Sequence, residues 1–133
     1  MIVKGTDKKS IMIIEDDAEM RSLLIDFLGE DGYEVEAASS GAEALRKLSE
    51  RSFDLIITDI RMPGLTGLDI LPGIKNLQPG VPVMVITAFG SEEIFHRSME
   101  RGATAYLEKP ICFNKLGALV SGMVYQNEKE IRG

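Results

Sequence analysis

The chain has 133 residues, with 21 acidic against 15 basic side chains and a net charge of -6. That length fits one domain with its own core, and Leu, Ile, Val and Phe supply 39 of the residues, well above the share that leaves a chain disordered. The acidic balance and the lack of a dense Lys/Arg cluster argue against direct nucleic-acid binding, which needs a basic face.

The elements alternate in kind along the chain. Ile11-Met12-Ile13-Ile14 reads as a buried strand, and Met20, Leu23, Leu24, Phe27 and Leu28 recur at helical spacing behind it, with Gly29 and Gly32 at the helix end. Tyr33, Val35 and Ala37 alternate with Glu34 and Glu36, the pattern of a strand near a sheet edge. Ser40 and Glu43 form a candidate capping box for a second helix, striped by Ala42, Leu45 and Leu48 and expected to end near Arg51. Phe53 to Thr58 is almost continuously apolar, as in a strand covered on both faces, and it terminates at Asp59.

Met62-Pro63-Gly64 marks a loop, and Leu68, Leu71, Ile74 and Leu77 mark a third helix. Pro72 would damage that helix unless it sits in the first turn, so an irregular start is expected there. Val81 to Ile86 reads as a fourth strand, Ser91 with Glu92 and Glu93 opens a helix stopped by Gly102, Ala103 to Glu108 is a fifth strand, and Phe113 to Val124 carries the stripe of a last helix. The tail from Gln126 is polar. Five strand-helix repeats with short connections imply an α/β, doubly wound, five-stranded parallel sheet with helices on both faces. The boundaries expected are an extension over 1–8, the domain over 9–126 and a tail or linker over 127–133. No apolar run reaches the roughly 20 residues of a membrane span and no signal peptide follows the N-terminal lysines, so a cytoplasmic location is expected. Cys112 is the single cysteine, which excludes an intrachain disulfide or a cysteine zinc cage; it reads as a packing residue. His96 reads as a surface residue.

In doubly wound folds ligands collect beyond the carboxyl ends of the strands. There the sequence places Glu15-Asp16-Asp17, Asp59, Thr87 and Lys109-Pro110. Clustered carboxylates oppose one another's ionisation unless a cation neutralises them, and hard oxygens without His or Cys suit magnesium better than zinc. Acids around magnesium with one lysine and one hydroxyl describe a phosphoryl site. Asp59, an acid ending an apolar strand, is the candidate nucleophile. Taken alone, Glu15, Asp16 and Asp17 would be ordinary caps of the first helix, and Thr87, Tyr106 and Lys109 ordinary strand or surface residues; their joint placement raises them.

Asp16, Asp59, Thr87 and Lys109-Pro110, with Asp59-Ile60-Arg61-Met62-Pro63-Gly64 around the central acid, resemble a response-regulator receiver domain over roughly residues 9–126. The resemblance implies the flavodoxin-like strand order 2-1-3-4-5. It implies that Asp59 accepts a phosphoryl group from a phosphohistidine of a sensor histidine kinase. Asp16, Asp59 and the Arg61 backbone carbonyl would ligate Mg2+, with Glu15 acting through a metal-bound water. Lys109 and Thr87 would bind phosphoryl oxygens. Tyr106 would turn inward with Thr87 and change the face made by helix four, strand five and helix five, the face that also serves docking and homodimerisation on phosphorylation. Arg61 and Phe89 would tune hydrolytic water, their bulk implying slow autodephosphorylation, and Lys109-Pro110 would be cis. The stretch from Thr58 to Leu71 is similar to receivers that precede transcription-activator ATPase domains, a likeness that assigns no output by itself; the chain reads either as a single-domain regulator acting by docking or as the receiver of a longer protein, with regulation of transcription through a further domain the expectation.

Two other functions stand beside this one. A magnesium-dependent phosphatase acting through Asp59 would need a second acid at the position of Arg61. A flavin or nucleotide binder would need a phosphate cradle, whereas the first loop is acidic and no Walker loop is present.

Overall fold

A computed structural model describes residues 8–125. Ten elements alternate through them: β1 (Ser10–Ile14), α1 (Ala18–Glu30), β2 (Glu34–Ala38), α2 (Gly41–Leu48), β3 (Leu55–Asp59), α3 (Gly67–Leu77), β4 (Val83–Thr87), α4 (Glu92–Glu100), β5 (Ala105–Glu108) and α5 (Phe113–Val124). The strands form one parallel sheet in the order β2-β1-β3-β4-β5, as expected. The extension over 1–8, apart from its last residue, and the tail over 127–133 lie outside the described residues.

Side chains of successive strand residues point to opposite faces, so the three central strands must be apolar on both. Met12, Ile14, Ile56, Val83 and Val85 pack on Leu48 of α2, Leu71 and Ile74 of α3 and Ile94 of α4. Ile11, Ile13, Leu55, Ile57, Met84 and Ile86 pack on Leu24 and Leu28 of α1 and Leu116 and Val120 of α5. Edge strand β2 keeps the polar side that its alternation announces: Arg51 pairs with Glu36 at 2.8 Å and with Glu34 at 3.6 Å.

Several local expectations are corrected. Helix α2 ends at Leu48, before Arg51. The Ser49 hydroxyl donates to the Arg46 carbonyl at 2.6 Å, and Arg51 turns away to β2. Ser40 does cap α2 through the Glu43 N–H, but the Glu43 carboxylate accepts from the Ser39 N–H and hydroxyl rather than closing a box on Ser40. Strands β3, β4 and β5 each start two residues later than the apolar pattern suggested; at β3 the Phe53 N–H is taken by Gln78 Oε1. Cys112 is exposed, not packed, because its neighbours Ile111 and Phe113 occupy the core side of that turn.

Helix α3 also starts regularly. A complete capping box joins Thr66 and Asp69, and Pro72 lies inside the helix. A proline there lacks the N–H that the Leu68 carbonyl would accept; Arg101 Nη1 donates to that carbonyl instead, at 2.9 Å.

Candidate functional site

Parallel register assembles the site. Ile14 lies opposite Thr58 in the β1–β3 ladder, so the next residues, Glu15 and Asp59, emerge side by side. Asp59 faces Ile86, and the following Thr87 faces Glu108. The Lys109 N–H donates to the Thr87 carbonyl at 2.8 Å, which extends the ladder and aims the lysine back across the sheet end. The Lys109–Pro110 peptide is cis, as expected.

Asp59 is 4% exposed and Glu15 fully buried, whereas Asp16 is open to solvent. Lys109 Nζ donates to Asp59 Oδ2 at 3.0 Å and to Glu15 Oε1 at 3.2 Å. The Arg61 N–H donates to Asp59 Oδ1 at 3.2 Å. The other Glu15 oxygen accepts from the Asp17 N–H at 3.1 Å, and Asp17 itself caps α1 through the Met20 N–H. Carboxylate oxygens of Glu15, Asp16 and Asp59 lie within 4.8 Å of one another, a set of hard oxygens that fits a small divalent cation. Burial, with the Asp59 charge beside it, pushes the Glu15 carboxyl up to about 7. Burial opposes the charge of Lys109, but hydrogen bonding and attraction from Asp59 and Glu15 outweigh it and hold the ammonium above its ordinary pKa.

Thr87 is buried one residue beyond the partner of Asp59, and its hydroxyl accepts from the Phe89 N–H at 3.1 Å. Phe89 is 63% exposed and its ring lies under the Arg61 guanidinium, 4.6 Å from the ring centroid, so the two residues singled out for bulk meet at the mouth of the site. Tyr106 packs edge-on against Phe95, centroids 5.3 Å apart. Its hydroxyl is buried and has no hydrogen-bond partner of good geometry among the described residues, and burial and the Glu108 charge raise its pKa. A methyl group on Gly90 would overlap that hydroxyl and the Glu108 carboxylate. His96 is exposed on α4, as read.

Two supporting residues escaped the sequence reading. A Cβ on Gly67 would collide with the Asp59 carbonyl and Ile60 Cα, so the start of α3 abuts the backbone of the central acid. Arg21 Nη1 donates to the carbonyls of Glu15 at 2.8 Å and Asp16 at 3.4 Å. The sequence signal for Arg21 is a cation in the first turn of a helix, where the dipole disfavours it; Gly67 has no comparable signal, because the chain it touches is only brought there by folding.

The family model of the response regulator receiver domain matches residues 11–121. The chain belongs to this family. Transcriptional regulatory protein ZraR of Escherichia coli O157:H7 is 38% identical over 112 residues, covering 84% of this chain and 25% of the relative. This receiver domain thus spans about a quarter of the length of the curated relatives it matches. The CheY-like receiver domain protein of Methanospirillum hungatei JF-1 superposes with a TM-score of 0.89 at 31% identity, covering 93% of this chain and 99% of that one. The response regulator TrrA of Thermotoga maritima, solved in complex with Mg(2+)-BeF, superposes with a TM-score of 0.79 at 32% identity, covering 86% and 98%. The receiver is a regulatory phosphoacceptor domain of two-component systems with a flavodoxin-like fold. Among the described residues no helix is long and apolar enough to cross a membrane.

Proposed function

We propose that Asp59 is the phosphoacceptor of this receiver and that a sensor histidine kinase supplies the phosphoryl group. The observation that carries this reading is the single lysine bridging two buried acids: Lys109 holds both Asp59 and Glu15. In the transfer an O–P bond forms at an Asp59 carboxylate oxygen as the P–N bond of the phosphohistidine breaks, and the imidazole leaves. Asp16, Asp59 and the Arg61 carbonyl would hold Mg2+, with Glu15 acting through a water; the bound ion would supply charge to offset that of the phosphoryl group. Lys109 then moves from carboxylate to phosphoryl oxygen, and the fixed ammonium avoids the reorganisation that water would need.

The Thr87 hydroxyl oxygen accepts from the Phe89 N–H of its own loop, which leaves its O–H to donate to a phosphoryl oxygen. Movement of the loop would open the space beside Gly90 and change the seat of Tyr106, altering the α4–β5–α5 face. That face would then dock a partner or a second copy of the domain. A charge placed at Asp59 shifts the population only by its preference for one of the two packings. The Arg61–Phe89 stack supports slow loss of the phosphoryl group. We further assign residues 9–126 as the receiver unit, between flanking segments 1–8 and 127–133, acting in the cytoplasm on transcription through a further domain. The phosphatase alternative is disfavoured because Arg61, stacked on Phe89, stands where the second acid is needed.

A titration with Mg2+ and beryllium fluoride, followed by amide NMR, tests the reading. Thr87 and Tyr106 should shift together in the wild type and neither should shift in Asp59→Asn. Independent responses of the two would overturn the relay.

A further inference from the structure

We infer that Arg21 is a positioning residue for the cation site: its guanidinium fixes the carbonyls of Glu15 and Asp16 and thereby aims the Asp16 carboxylate at Asp59. This rests on the magnesium reading above and adds to it a residue outside the acidic cluster.

The loop between β1 and α1 must place two acids of different burial. Glu15 is held on three sides, by its N–H on the Ala38 carbonyl at 3.0 Å, by the Asp17 N–H on Oε2 and by Lys109 on Oε1. The exposed Asp16 has no such side-chain anchor among the bonds described. What it has is its backbone, and there one nitrogen of Arg21 spans the Glu15 and Asp16 carbonyls. Arg21 reaches them from the first turn of α1, a place where a cation works against the helix dipole. It takes carbonyl oxygens only, so the carboxylate oxygens of Glu15, Asp16 and Asp59 that converge within 4.8 Å stay available to a metal. The guanidinium is always charged, and the single Nη1 carries two N–H donors, enough to face both carbonyls. Residues that orient ligands from behind typically change metal affinity by 10–100-fold when removed.

The sign of the effect separates this role from a bystander charge. A cation that merely sat near the site would repel Mg2+, so its removal would tighten binding. A clamp that aims a ligand predicts the reverse.

The test titrates Mg2+ alone into wild type, Arg21→Gln, Arg21→Met and the exposed control Arg46→Gln, reading the dissociation constant by calorimetry and by the rise in Tm. Arg21→Gln and Arg21→Met should weaken binding about tenfold, with Arg46→Gln matching the wild type. The two variants keep the inference testable if one of them does not fold. Binding within twofold of wild type, or tighter, in whichever variant folds overturns the inference while leaving the magnesium reading intact. A wild type that shows neither heat nor stabilisation with Mg2+ overturns both.

Discussion

Arg101, at the end of α4, donates to the carbonyl of Leu68 in α3 at 2.9 Å, the carbonyl that the ring nitrogen of Pro72 leaves without an intrahelical donor. The proline that should have broken α3 is accommodated by a side chain from another helix, and α4 is tied at its C-terminal end to a helix whose own start rests on the Asp59 backbone.

This tie is measurable as a coupling. Arg101→Leu should destabilise the domain by about 1–3 kcal/mol, the cost of stranding a buried acceptor. In a Pro72→Ala background the restored N–H satisfies Leu68, so the same change should cost much less. Urea denaturation of the four proteins checks it; equal costs in the two backgrounds would mean that the Arg101 bond does not replace the missing helical one.

Gly90 is a space requirement rather than a turn requirement. A methyl there meets the Tyr106 hydroxyl and the Glu108 carboxylate, so Gly90→Ala should displace the ring and cost about 1–3 kcal/mol from overpacking. Because burial and Glu108 raise the Tyr106 pKa, displacement should bring its ionisation back toward 10. Alkaline spectrophotometric titration, with Tyr106→Phe as the reference that removes this one phenol, reads the shift.

Much of this was legible in sequence, and the reason is physical. Buried parallel strands such as Ile11–Ile14 and Leu55–Ile57 must be apolar on both faces, so they stand out as runs, and the winding then forces their carboxyl ends, with Asp59, Thr87 and Lys109, onto one edge. Contacts between residues far apart in the chain left no local mark. Gln78, at the end of α3, donates to the Leu48 and Arg51 carbonyls and accepts from the Phe53 N–H, and nothing around position 78 announces it. Arg101 could not be read as the answer to Pro72 for the same reason. Glu15, Asp16 and Asp17 were recognisable as a group, but their different burial follows from the β1–β3 register and from Lys109, some 94 positions away.

The Arg61–Phe89 stack predicts a long phosphoryl lifetime. Phe89→Ala removes the ring under the guanidinium and opens the mouth of the site, so decay of the phosphorylated domain should quicken severalfold, with Mg2+ held constant. Phosphate release from purified phosphoprotein measures it; an unchanged rate would remove the stack from any role in shielding.

The Glu15 carboxyl sets a pH dependence. Its folded pKa of about 7 lies above the ordinary 4.5, so as pH rises the unfolded chain loses this proton first. The metal-free domain therefore has the full contribution of protonated Glu15 below about 4.5, loses it between 4.5 and 7, and shows no further change from it above that. Relative to Glu15→Gln, wild-type stability without metal should fall on the order of 2 kcal/mol from pH 5 to pH 8. Mg2+ should displace the proton, bind more tightly as pH rises and reduce the deficit. Paired urea titrations at the two pH values test the sign.

The central claim is that Asp59, and no other group, takes the phosphoryl. Incubation with a small phosphodonor and Mg2+, followed by peptide mass mapping, should find one added phosphoryl group on Asp59, absent without Mg2+ and absent in Asp59→Asn. A phosphoryl group mapped to another residue of the wild type, or undiminished modification of Asp59→Asn, would contradict the account.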